Sequence, residues 1–110
     1  MKYIIPQSRL HQVIFKYLDM QNLIKTDVKV HFYDGFYFTR NKGDEYCIMG
    51  YNKLNGALTI YSGFVDEVSN MFSLSNEEMS QAISLWIEND FDVEVTKTNV
   101  EDQKYHFFLP

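Results

Sequence analysis

The stretch SNEEMSQAISLWIEN, positions 75–89, is the most complete structural signal in the chain, and the fold is read outward from it. Ser75 followed by Glu78 forms a capping box, in which each side chain takes up a backbone N–H that the first helical turn leaves unpaired. Leu74 before the cap and Met79 within the helix make the matching hydrophobic staple. Met79, Ala82, Ile83, Trp86 and Ile87 then line up as one apolar stripe, which predicts a helix laid on a core. The opposite face carries Glu77, Ser80, Gln81, Ser84 and Glu88, with no His, Cys or Lys to supply chemistry.

Upstream, Pro6 or Ser8 opens a first helix with Leu10, Val13, Ile14, Tyr17 and Leu18 on its apolar side, fading at residues 20–22. From Asp27 the period changes to two, with Val28, Val30 and Phe32 alternating with Lys29, His31 and Tyr33. Asp34-Gly35 is then the dipeptide that favours a two-residue hairpin turn, and residues 36–41 are the predicted returning strand. That register places Tyr33 opposite Phe36, His31 opposite Phe38 and Lys29 opposite Arg40 on one face. Residues 45–51 and 57–61 extend the hairpin to a four-strand antiparallel meander with short Gly- and Asn-bearing loops.

Phe64, Val65, Val68, Met71 and Phe72 return to helical spacing as a short helix. Phe91, Val93 and Val95 alternate with Asp92, Glu94 and Thr96 as a further strand, with residues 105–109 as its hairpin partner across a polar loop at 97–103. The expectation is a single α+β domain over residues 1–110. It comprises an antiparallel β-meander of about four strands plus a C-terminal hairpin, with two main helices packed on one face.

Composition narrows the function classes. The 45% apolar and 16% aromatic content excludes a disordered tail. One cysteine, Cys47, allows no intrachain disulfide and suits a reducing cytosol. The apolar run Tyr3-Ile4-Ile5 is stopped by Pro6, so no signal peptide is read there, and no window approaches the roughly 20 apolar residues of a spanning helix. A soluble cytoplasmic protein without membrane contact is expected. The net charge of −5 is uneven: residues 1–62 balance to +3 and residues 63–110 to −8. The acidic half disfavours wrapping of nucleic acid by the whole domain, since phosphates are held by Lys and Arg.

Four features of the sequence bear on function. The hairpin face bearing Lys29, His31, Tyr33, Phe36, Phe38 and Arg40 sets aromatics among basic residues, which suits a protein-binding patch because aromatics and Arg dominate interfaces. The same face offers a second reading, stacking of single-stranded nucleic acid. Asp90, Asp92 and Glu94 would put two carboxylates on one strand face, close enough for a divalent ion, and Asp102-Gln103-Lys104 is similar to the Asp-x-Lys half of a PD-(D/E)xK nuclease site. No Pro-Asp precedes that tripeptide and no helix follows it, so a solvated acidic edge is the preferred reading. Cys47 with His11, His31 and His106 shows neither zinc-ligand spacing nor a nucleophile setting. Finally, no P-loop, GxGxxG, CxxC, HExxH or GxSxG occurs, so neither catalytic residues, metal nor cofactor is expected.

Met1-Lys2-Tyr3-Ile4-Ile5-Pro6, with Ser8-Arg9-Leu10 and Lys16-Tyr17-Leu18-Asp19, resembles the start of small uncharacterised proteins encoded in large tailed-phage and marine-virus genomes. The resemblance implies an accessory role in the host cytoplasm or the virion, binding a host or virion protein. The expected function is a non-catalytic protein–protein interaction module, with self-association through an open strand edge at residues 105–109 as a further possibility.

Overall fold

The computed structural model describes residues 8–44 and 46–102. In chain order the elements are α1 (Ser8–Met20), β1 (Ile24–Val30), β2 (Tyr33–Thr39), β3 (Met49–Asn52), β4 (Ala57–Tyr61), α2 (Ser62–Phe72), α3 (Asn76–Phe91) and β5 (Lys97–Glu101). The strands form one sheet in the order β1-β2-β3-β4-β5. This is an α+β fold with three helices, and its sheet is mixed, because β5 runs parallel to β4.

The capping box is present as read. Ser75 Oγ accepts from the Glu78 N–H at 3.1 Å, and the Ser75 N–H donates to Glu78 Oε1 at 3.0 Å. Met79, Ala82, Ile83, Trp86 and Ile87 are all buried. They meet Ile14 and Leu18 of α1, Phe64, Val65 and Val68 of α2, and Phe36, Phe38, Met49, Tyr51, Leu58 and Ile60 of the sheet in one core. Residues paired across a sheet share a face, and these strand positions are all mutual partners in the ladder, so the helices cover a single face. Burial of this apolar surface, at about 25 cal/mol per Å², is the main stabilising term. On α1 the buried side is narrower than the sequence stripe, since Leu10 and Val13 remain 43% and 52% exposed.

Three sequence expectations are corrected. The β1–β2 turn is His31-Phe32, with Val30 opposite Tyr33 and Asp27 opposite Phe36, so the Asp34-Gly35 turn and its pairings do not form. Asp34 and Gly35 are instead held inside β2 by β3. The Asp34 carbonyl accepts from Lys53 N–H at 2.7 Å, and the Asp34 N–H donates to Asn52 Oδ1 at 3.2 Å. A Cβ on Gly35 would run into the Tyr51 backbone, so glycine is required here for close strand approach rather than for a turn.

Secondly, Phe91 ends α3, and residues 92–96 are not a strand. They follow an Asp92 cap at φ 56° and are tied down by Tyr51 Oη donating to the Glu94 carbonyl (2.6 Å) and Val95 N–H donating to Glu88 Oε2 (2.8 Å). The strand is Lys97–Glu101, the segment read as a polar loop. It is parallel to β4 because α2 and α3 carry the chain over the sheet, the crossover that parallel neighbours need. The proposed C-terminal hairpin therefore has no first strand, and its partner at residues 105–109 lies outside the described residues. Thirdly, the short helix read at residues 64–72 is present as α2, and by burying Phe64, Val65 and Val68 it becomes a third full member of a layer expected to hold two main helices.

Candidate functional site

The helical layer does not cover the whole sheet. α2 rests on β4 and β5, and α3 on α1, α2 and β5, so the layer is displaced from β1. On its helix-facing side β1 carries Lys25, Asp27 and Lys29, all exposed, whereas Thr26, Val28 and Val30 on the other side are half-buried. Three charges on one strand face suit a position that no helix covers.

The uncovered corner is an open cleft of about 470 Å³. Its floor is Phe36, Phe91 and Val93, and Lys25, Lys29 and Lys53 stand around it with Asp27 and Asp34. Phe36 packs on Phe91 with ring centroids 5.5 Å apart, and both belong to the aromatic group that includes Phe38 and Trp86. The Lys25 ammonium lies 4.8 Å from the Phe36 ring centroid and 2.8 Å from Asp27 Oδ1. Lys29 approaches Asp34 at 3.7 Å with its side chain 84% exposed, and Lys53 pairs with none of the described carboxylates. Beside the cleft, the β1–β2 turn holds Phe32 in the open, 66% exposed, with the His31 ring edge-on to it at 5.2 Å.

The six residues singled out in the sequence are therefore dispersed. Phe36 and Phe38, at 6% and 1% exposure, are core and not an outward aromatic surface. They point inward because the true register turns that face of β2 toward α3. Tyr33 is on the opposite face, with its hydroxyl directed to the Phe36 carbonyl at 3.3 Å; burial, with Cys47 and Tyr61 nearby, raises its phenol well above the usual range. Arg40 is engaged by Glu67 and lies 5.2 Å from the Phe64 ring centroid. His31 is exposed in the turn and Lys29 at the cleft. The stacking surface for nucleic acid thereby loses Phe36 and Phe38. Phe32, Lys25, Lys53, Phe91 and Val93 were missed; the one available signal was Lys25, Asp27 and Lys29 at period two, three charges on one face of an otherwise β-branched strand.

The other candidates are also separated. Asp90, Asp92 and Glu94 do not share a strand face, and no group of three or more metal-ligating side chains occurs among the described residues. The Asp90 residue is exposed, but its carboxyl is partly desolvated and hydrogen-bonds to Asp19, which raises it to about 6; Asp19 in turn accepts from Trp86 Nε1 at 2.9 Å. Lys104 and His106 lie outside the described residues. His11 stacks on Phe15 at 6.2 Å. Cys47 is buried on the far side of the sheet, in a groove of about 340 Å³ shared with Tyr33, Tyr61 and Asn99, and burial pushes its thiol up to about 11. At neutral pH such a thiol is not a nucleophile.

Compared with protein-family models, curated proteins and solved structures, the chain matches none. Among the described residues no helix is long and apolar enough to cross a membrane.

Proposed function

We propose that the chain is a small non-catalytic protein-interaction module whose partner surface is the lysine-rimmed cleft and the adjoining His31-Phe32 turn. The observation that carries this reading is the open cleft in which Lys25, Lys29 and Lys53 stand around half-buried Phe91 and Val93, beside core Phe36 and next to a Phe32 that is 66% exposed. An aromatic anchor beside a partly apolar recess is the arrangement from which interfaces draw most of their energy. The lysines select a partner segment that presents an apolar side chain flanked by carboxylates, and such charge matching acts mainly on encounter rate and partner choice. In the setting implied by the N-terminal resemblance, that partner is a host or virion protein.

The test is capture of partners from lysate of the organism that encodes the chain, with and without nuclease. It is run beside a Phe32→Ala/Lys53→Glu variant whose melting temperature matches the parent. One stoichiometric protein that survives nuclease and is lost with the variant supports the proposal. Equal capture by the variant, or retention that vanishes with nuclease, refutes it.

A further inference from the structure

We propose that β1 is a self-pairing edge, through which two copies of the chain join in an antiparallel ladder centred on Val28. β1 is seven residues long, and only β2 pairs with it among the described residues. The phase of its backbone follows from the ladder. Val30 and Tyr33 flank a two-residue turn, so Ile24, Thr26, Val28 and Val30 exchange hydrogen bonds with β2. The Lys53-to-Asp34 bond agrees, because it assigns Asp34 to β3 and Tyr33 to β1. The N–H and C=O groups of Lys25, Asp27 and Lys29 therefore point away from β2, along an edge that no other described strand occupies.

In an antiparallel self-pair, outward-facing residues must oppose outward-facing residues, which leaves few registers. Centring on Asp27 places Asp27 against itself and Lys25 against Lys29, so every outward pair is a like-charge pair. Centring on Thr26 matches Lys25 with Asp27 and Ile24 with Val28, and leaves Lys29 opposite Leu23, just as centring on Val28 leaves Lys25 opposite His31. Centring on Val28 places Asp27 opposite Lys29 of the second copy, twice by symmetry, with Val28 against Val28 and Thr26 against Val30 on the other face. Opposite charges and β-branched pairs at facing positions stabilise a ladder, and like charges destabilise it. Of the Thr26 and Val28 registers the Val28 one is favoured, because it uses Lys29, whose side chain is 84% exposed, where the Thr26 one uses Lys25, which is 34% exposed and lies over the Phe36 ring.

Asp27 is 79% and Lys29 84% exposed, so their present contacts with Lys25 and Asp34 are surface ion pairs that yield at little cost to a cross-strand pair. Charges on an edge usually discourage pairing. Here the Lys-x-Asp-x-Lys alternation rejects one register and accepts another. The two-fold axis is normal to the sheet, so both helical layers lie on the same side of one continuous sheet. A contact of one short strand pair is at the small end of specific interfaces, which makes the dimer weak and concentration-dependent. The inference does not depend on the partner proposed above, because no partner enters its test.

Sedimentation velocity of the full chain, from low-micromolar to near-millimolar concentration, should show a monomer–dimer equilibrium. Asp27→Lys and Lys29→Asp each place like charges at both crossings and should lower the association constant by roughly ten- to a hundredfold. An equimolar mixture of the two variants should recover it, because a strand with lysine at both positions then faces a strand with aspartate at both. That rescue cannot come from loss of fold, and circular dichroism of each variant checks that both remain native. A parent chain that is monomeric throughout, variants that dimerise unchanged, or a mixture that stays monomeric would each overturn the proposal.

Discussion

Replacement of Gly35 by Ala tests the register on which the cleft depends. A Cβ at this position would lie 2.9 Å from the Tyr51 carbonyl carbon and 3.2 Å from Asn52 Cα, with the Tyr51 carbonyl oxygen nearer still. Ordinary contact begins at about 3.4 Å, so β2 and β3 must separate locally by half an ångström or more, and neither neighbour is a flexible side chain. Overpacking of this kind costs about 1–3 kcal/mol. Separation also lengthens the adjacent bond from Lys53 N–H to the Asp34 carbonyl, worth about 1 kcal/mol. The expected loss is about 3 kcal/mol, or roughly 12 °C in melting temperature for a domain of this size.

Urea unfolding followed by fluorescence of the single tryptophan, Trp86, which is buried in the core, reads this directly, with an unchanged m-value. Gly63→Ala is the matched control. Gly63 is the second residue of α2 and a Cβ there meets nothing, so the change should stabilise by about 0.5–1 kcal/mol. A Gly35→Ala loss below about 1 kcal/mol would refute the reasoning, since it would mean that Asp34-Gly35 is not pinned against β3.

Three further outcomes follow from the geometry. Phe38→Ala should destabilise by about 3–5 kcal/mol, while Phe32→Ala should stay within about 0.5 kcal/mol; equal effects in denaturant titration would place the two rings in similar surroundings. Cys47 should resist alkylation at pH 7–8 in the native chain and react only as fast as the chain opens; labelling at the rate of a free thiol would contradict its burial. Asp90, raised by desolvation and by its bond to Asp19, contributes stability that is complete below about pH 4 and lost as pH rises through about 6. Relative to the parent, Asp90→Asn should thus gain about 1 kcal/mol between pH 4 and pH 7.5, a figure reduced from the full shift because the residue is exposed; parallel pH–stability curves would rule it out.

Helices were legible in this chain and strand pairing was not, for a physical reason. The Ser75 box and the Met79-to-Ile87 stripe are local, so neighbours in sequence carry the whole signal. Gly35 shows the opposite case: Asp-Gly is a turn signal in isolation, and only the approach of Tyr51 from a distant strand explains the glycine. β5 was missed because Lys97–Glu101 is a polar edge strand with little burial, so no alternation marks it. Val93 and Val95 alternate convincingly, yet they pack on the core from a segment that belongs to no strand.

The candidate site was hidden by the same effect, because it arises where two layers differ in extent. Five strands at about 4.8 Å spacing set the outer strands roughly 19 Å apart. α2 and α3, each about 10 Å across, could span that width by themselves if centred, with α1 packed against α3. Here α2 is drawn toward β4 and β5 by the crossover that makes β5 parallel, and α3 follows it to reach β5. The chain path that produces the unexpected parallel strand therefore also uncovers β1. At that margin Phe36 and Phe91 are buried from one side by the core and face Lys25 on the other. The Lys-x-Asp-x-Lys pattern of β1 suits such a margin better than a position beneath a helix, where three charges would lose their hydration. The composition of one edge strand and the route of the chain at the opposite edge thus require each other, and the cleft is their joint product.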